Sequence, residues 1–381
     1  MMLGEQRVVA MKAACRWLRE RKVKEVMHNK GKLVEVPYTA SLSHTMNALL
    51  ANDVAAVPVA APPNRWIGAG GSMILESDPV TGIVRKQYIG IVTMLDVLVH
   101  IAEEDGGIKV EGDHDPGTKL DRRMSVPVSS IIGHSLEGLS LWTLNPNSRL
   151  LDCMETFSKG VHRALIPLES STDHVISVEL AESSPGYRML TQKDILSFLK
   201  SERNHMKDVM SCTVQELGAI NDCVFSITKH TKVIEAIKSM RSASVSSVPI
   251  VESLQSDNDQ QLLERKRRKL LGTFSATDLR SCPVEELQKW MSASVVEFKT
   301  KSKKRPSFKR ATTERSSLVT CFPETTLSQV IEDAVSMHVH QVWVIDADGL
   351  LTGLVSLTDM LRVIRASLLS ADSLSPCEQH T

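Results

Sequence analysis

Four times along this chain a short apolar strand runs into Ser/Thr-x-x-Asp and then into an amphipathic stretch. The copies read YIGIVTMLDVLVHI (88–101), YRMLTQKDILSFLK (187–200), LLGTFSATDLRSC (270–282) and LLTGLVSLTDMLRVIRASL (350–368). Recurrence of one pattern constrains a fold more than composition does, because each copy must find a neighbour on which to bury its apolar face. The aspartates are Asp96, Asp194, Asp278 and Asp359. A glycine stands six residues before three of them (Gly90, Gly272, Gly353), and Arg188 takes that place in the second copy.

Upstream of each copy lies a matching first half. These segments are LSHTMNALLANDVAAVPVA (42–60), LLDCMETFSKGVHRALIPL (150–168), VIEAIKSMRSASVSSVPIV (233–251) and LSQVIEDAVSMHVHQVWVI (327–345). Apolar residues recur at helical spacing, then the period shortens into a Val-rich run. Each unit therefore reads strand, helix, strand, strand, helix, an α/β (α+β) pattern. A leading helix with Val8, Met11, Cys15 and Leu18 on one face is expected to pack on its own domain.

The expected division is an N-terminal helix at 1–22, then repeats at 23–104, 125–203, 204–283 and 284–370, and a tail at 371–381. An acidic, Gly-rich linker at 105–124 and a basic insertion at 297–317 are the places where a compact fold needs least order.

Several function classes lose support. Lys+Arg and Asp+Glu both total 45, so any polyanion site must be local. The seven cysteines show no CxxC, which disfavours a zinc ribbon or disulfide framework and fits a reducing compartment. No apolar run reaches membrane-spanning length and no signal-peptide core is present, so the expected location is cytoplasmic or nuclear, away from membranes. GxGxxG, GxxxxGK[ST], HExxH and GxSxG are all lacking, and the expectation is a protein that is no enzyme, with no metal and no catalytic cofactor. GAGGS (68–72) lacks a P-loop lysine and reads as a loop; DHD (113–115) reads as a solvated acidic turn. The basic runs 265–269 and 299–310 read as solvated mobile loops, with nuclear import or partner docking as alternatives. Few aromatics accompany them, which leaves nucleic-acid stacking little support. Ser307 and Thr313, beside basic residues, are candidate phosphorylation sites.

Four such units resemble tandem CBS motifs, which pair into two Bateman modules. The arrangement is similar to the γ regulatory subunit of AMP-activated and sucrose-non-fermenting-related protein kinases, in its plant γ-like branch. The resemblance spans about residues 20–370. It implies one-with-two and three-with-four pairing in a flat disc, adenine nucleotides (AMP, ADP or ATP) as regulatory ligands, and kinase catalytic α and scaffold β subunits as partners.

Each aspartate has two readings. Ser/Thr-x-x-Asp is a capping-box pattern, and Thr93, Thr191, Ser275 and Ser356 can accept from backbone N–H groups. By resemblance, Asp96, Asp194, Asp278 and Asp359 instead hold a ribose diol, with those hydroxyls as further contacts. Phosphates need cations. The pair after the valine at each second strand is Ala55-Ala56, His162-Arg163, Ser246-Ser247 and His340-Gln341. The resemblance gives phosphate contacts to His162, Arg163, Ser246, His340 and Lys193. Solvated charges at a strand end are the alternative for His162-Arg163. Gln341 stands where the family would have arginine, and losing a charge-assisted pair costs about 1.5–3 kcal/mol, or one to two decades of affinity. Nucleotide binding at fewer or weaker sites follows, with a CBS-fold adaptor or scaffold whose nucleotide sensing is weakened or lost, acting with or without a kinase, as the second expectation.

Overall fold

The computed structural model describes residues 2–28, 30–61, 88–103, 116–139, 141–167, 183–184, 186–253, 263–264, 267–281, 284–302 and 318–373. Helices α1 (Met2–Glu20) and α2 (Val23–Val26) and strand β1 (Leu33–Val34) come first. The first repeat follows as β2 (Val36–Pro37), α3 (Leu42–Ala51), β3 (Ala56–Ala60), β4 (Tyr88–Thr93) and α4 (Met94–Glu103). A connection carries α5 (Pro116–Ser125), a 3₁₀ turn (Val128–Ile131) and α6 (Leu136–Leu139). The second repeat is β5 (Trp142–Thr143), α7 (Leu150–Ser158), β6 (Arg163–Pro167), β7 (Ser183–Ser184), β8 (Tyr187–Thr191) and α8 (Gln192–Ser201). After a 3₁₀ turn (Arg203–Met206) and α9 (Lys207–Met210) come β9 (Phe225–Thr228), α10 (Val233–Ser242), β10 (Ser247–Val251), β11 (Leu263–Glu264), β12 (Leu270–Ser275) and a 3₁₀ run (Ala276–Ser281). Helices α11 (Val284–Met291) and α12 (Val295–Ser302) precede the fourth repeat, β13 (Thr320–Cys321), α13 (Leu327–Ser336), β14 (Gln341–Ile345), β15 (Leu351–Ser356) and α14 (Leu357–Ser373).

Each repeat forms its own small mixed sheet. The central strand runs parallel to the first and antiparallel to the last: β2-β3-β4, β5-β6-β8, β9-β10-β12 with β11 added outside β9, and β13-β14-β15. Pro58 and Pro249 lie before the parallel ladder begins and Pro167 lies after it ends, so none of them removes a donor that this ladder needs. The first helix of every repeat ends at a left-handed residue: Asp53 (φ 52°), Gly160 (φ 96°), Ser244 (φ 55°) and His338 (φ 56°). The same break, at the same register, turns each chain from helix into central strand.

The connections do not dock where the sequence order would put them. Val23 and Lys24 donate to Ser148 and Pro146, so the lead into repeat one lies on repeat two. Val128 donates to Ala40 and Leu42 to Val126, placing the lead into repeat two on repeat one. Leu327 donates to Cys212 and Val214 to Thr325, placing the lead into repeat three on repeat four. Val295 donates to Thr231 and Val233 to Ala293, completing the exchange. Leads are thus swapped within the pairs one–two and three–four. The sheet sides meet in the same pairs: Tyr88 and Tyr187 pack edge to face at 5.4 Å, and Val224, Val251, Trp343 and Leu351 form a small core.

The helices pair differently. One large core joins repeats two and four with α1, through Leu18, Phe157, Leu196, Ile331 and Ile364; the other joins repeats one and three, through Met46, Leu98, Ile237 and Phe274. Ala14, Cys15 and Leu18 of α1 are buried in the first, as the leading helix requires. Sheet contacts and helix contacts together close a ring in the order one, two, four, three. No helix among the described residues is long and apolar enough to cross a membrane.

Five expectations change. The stretch after Asp278 is a 3₁₀ run, not an amphipathic α-helix, and the sequence places Pro283 just beyond it, where a missing N–H opposes helical continuation. The acidic linker turns helical at α5, whose Leu120 and Met124 are buried. The basic insertion begins inside α12, with Phe298 fully buried, and α14 continues into the expected tail as far as Ser373. Residues 267–269 are held rather than loose: Arg267 N–H donates to Leu351, and Arg268 C=O accepts from Leu351 N–H. GAGGS, DHD, Ser307 and Thr313 lie outside the described residues.

Candidate functional site: four aspartates and the swapped leads

Register brings the two groups of candidate residues together. The second residue of each strand-opening pair faces the Ser/Thr that precedes the aspartate: Ala56 opposite Thr93, Arg163 opposite Thr191, Ser247 opposite Ser275, Gln341 opposite Ser356. The first residue of the pair binds the helix start through its carbonyl. His162 C=O accepts from Gln192 N–H at 3.2 Å, Ser246 from Ala276 at 3.2 Å and His340 from Leu357 at 3.1 Å. Each of these three pairs therefore sits against the helix N-terminus that carries its aspartate.

All four aspartates cap. Thr93 N–H and Oγ1 each donate to Asp96 Oδ2 at 2.7 Å, and Thr191 does the same to Asp194 at 2.8 and 2.6 Å. Ser356 N–H donates to Asp359 Oδ2 at 3.1 Å, and its hydroxyl donates to the same oxygen. In the third repeat Ser275 N–H reaches Asp278 at 2.9 Å, while its hydroxyl turns to Thr277. A carboxylate in the first turn also complements the helix dipole.

What differs is the group that reaches each aspartate next. Asp96 is fully buried, and its Oδ1 accepts from Ser135 N–H at 2.8 Å. Lys30 Nζ lies 2.7 Å from both oxygens of Asp194. Lys299 Nζ lies 3.1 Å from Asp278 Oδ2 and also donates to Thr273 C=O. These three partners come from swapped leads. At Asp359 the outer oxygen meets Arg362 Nη2 of its own helix at 3.3 Å, and that arginine, 47% exposed, also binds Gly218 C=O of a lead. The reason Gly90 and Gly353 are glycines is the same lead. A Cβ on Gly90 would lie 2.6 Å from Ile132, and one on Gly353 2.6 Å from Ile220 and 2.9 Å from the Asn221 carbonyl. Arg188 instead donates to Lys30 C=O at 3.2 Å, where the lead runs wide enough for a side chain.

The candidate phosphate residues are also engaged. Arg163, 8% exposed, forms an ion pair with Glu137, and His162 Nδ1 lies 3.5 Å from the other oxygen of that carboxylate. Burial holds the His162 imidazole below its usual pKa. Lys193 Nζ contacts His338 Nδ1, joining repeats two and four. Gln341 Oε1 accepts from Ser247 Oγ at 2.8 Å across repeats three and four. Ser246 and His340 are exposed. Lys30, Glu137, Lys299 and His338 escaped sequence reading. Of these, His338 alone stood in one of the recurring segments, at the left-handed position, and could have been found there. Among the described residues no group of three or more His, Cys, Asp or Glu could hold a metal ion.

The CBS domain model matches residues 314–366. The chain is 52% identical over 345 residues to an Arabidopsis thaliana protein named SNF1-related protein kinase regulatory subunit gamma-like PV42a, spanning 88% of this chain and 92% of that one. It is 47% identical to the PV42b protein of the same plant, spanning 92% and 96%. Among solved structures, protein MJ1225 of Methanocaldococcus jannaschii superposes with a TM-score of 0.57 at 16% identity, over 90% of this chain and 99% of the other. That likeness bears on the fold.

Proposed function

From the premise that this chain belongs to the gamma-like regulatory subunits of SNF1-related protein kinases, we propose that it is a non-catalytic subunit binding adenine nucleotides in its CBS clefts. Its partners are a kinase catalytic α subunit and a β scaffold, whose activity it modulates. The observation that carries the nucleotide reading is the register itself. In repeats two, three and four the register sets the strand-opening pair against the helix N-terminus that carries a carboxylate, the parts a ribose and a phosphate require.

The fourth cleft takes the ligand first. Asp96, Asp194 and Asp278 are closed by groups carried on swapped leads, whereas the outer oxygen of Asp359 meets the half-exposed Arg362 of its own helix, whose 3.3 Å contact to Asp359 and hydrogen bond to Gly218 C=O a ligand must break. Calorimetry with AMP, ADP and ATP tests this. Asp359→Ala is expected to weaken binding by one to two decades, the worth of a charge-assisted pair of hydrogen bonds at about 1.5–3 kcal/mol, and Asp96→Ala to change affinity little. An Arg163→Ala, Lys193→Ala double variant is expected to weaken phosphate-bearing ligands alone. Absence of heat with every nucleotide would sink the reading.

A second reading is an adaptor that keeps the fold without sensing. Its support is the engagement of three aspartates and of Gln341 by internal partners. Co-purification with α and β subunits, together with no nucleotide heat, selects it.

A further inference from the structure

Residues 134–139 form a strap that touches three repeats at once. Ser135 N–H is bound to Asp96 of repeat one. His134 C=O accepts from Arg241 Nε of repeat three at 3.1 Å. Gly138 is seated against the first sheet so closely that a Cβ there would lie 2.9 Å from the Ile91 carbonyl. Between these anchors Glu137 crosses to repeat two and meets both His162 and Arg163. A carboxylate thus occupies the Arg163 guanidinium and the His162 ring beside it, which a phosphate would use, and the same strap occupies the aspartate that a ribose would use in the neighbouring repeat.

We infer that Glu137 is a specificity-determining competitor for the phosphate site: an internal carboxylate that any phosphate-bearing ligand must displace from His162 and Arg163. This rests on the nucleotide reading for the identity of the ligand, but not for the identity of the cations. Two consequences follow from mass action. A ligand that uses Arg163 loses affinity by the factor with which Glu137 holds it, and one without phosphate loses nothing at this pair. Displacement also pulls on Ser135, because only one residue separates the two contacts. Filling the phosphate site of repeat two therefore loosens the bond that closes Asp96 of repeat one. The clefts of the first pair are coupled through the strap without any movement of the sheets.

Calorimetry on the full chain, wild type and Glu137→Gln, tests this with ATP, adenosine and inorganic tripolyphosphate as titrants. Gln keeps the shape and an acceptor oxygen while removing the charge. Tripolyphosphate and ATP are expected to bind the variant about tenfold more tightly, with adenosine unchanged, since a paired charge released from competition is worth about a decade. Equal ATP affinity in the two proteins overturns the inference and leaves the nucleotide reading intact. A tighter tripolyphosphate site, with no nucleotide bound by either protein, supports the inference and removes the nucleotide reading. Equal gains for ATP and adenosine overturn it, because they report a loosened cleft rather than a freed cation. No binding of any titrant to either protein overturns both. Thermal unfolding of the variant checks that it folds, and Glu137→Ala, which also removes the charge, replaces it if it does not.

Discussion

Lys30 and Ser135 close two aspartates by different chemistry, an ammonium in one case and a backbone N–H in the other. Their common feature is origin, since both arrive on a lead exchanged between repeats. The same attention to surroundings separates the cysteines. Burial pushes the Cys153 and Cys321 thiols up to about 12, so at neutral pH their reactive thiolate is scarcely populated. Cys223 is exposed. Brief treatment with iodoacetamide at pH 8 is expected to modify Cys223 and to spare Cys153 and Cys321, read by peptide mass spectrometry. Modification of the buried pair at the rate of Cys223 would mean that their repeats open far more often than a packed core does.

At the scale of elements, the glycine six residues before the aspartate separates close approach from habit. Gly90→Ala and Gly353→Ala drive a methyl into a lead and are expected to cost about 1–3 kcal/mol each, the range for overpacking a fitted contact. Among the described residues a Cβ on Gly272 would meet only Ile250 Cδ1, at 3.7 Å, so Gly272→Ala is expected to be neutral or stabilising by about 0.5 kcal/mol through the unfolded chain. Urea unfolding of the three variants compares them directly, and equal losses would show that the leads do not fix these positions. Their sequence pattern showed the glycines but not the reason. Periodicity exposed the strands and helices of each repeat because every copy buries its own apolar face. It could not show the exchanged leads, whose docking depends on contacts between segments far apart in sequence. The same limit applies to the site. Asp96 and Arg163 stood out by repeat position, whereas Glu137 and Lys30 lie outside the recurring segments and carry no periodic signal.

Across the whole molecule two kinds of contact disagree about what a unit is. Leads are exchanged within the pairs one–two and three–four, so backbone hydrogen bonding makes each half a module. The hydrophobic cores run the other way, through one–three and two–four. A half chain, residues 1–205, keeps its own leads but uncovers the faces of α4, α7 and α8 that α10, α13 and α14 cover in the intact chain. Val97, Leu98 and Ile101 on α4 and Ile195, Leu196 and Leu199 on α8 are all buried. At roughly 25 cal/mol per Å² of apolar surface, leaving such faces in water outweighs the few kcal/mol by which a domain of this size is usually stable. The half is therefore expected to associate with itself, a second copy covering the same helices and closing a ring of four repeats from two identical halves. Sedimentation of residues 1–205 alone should show a dimer, and mixing with residues 206–381 should replace it with a one-to-one complex. A stable monomeric half, with native-like unfolding cooperativity, would show that the swapped leads rather than the shared helix cores define the folding unit.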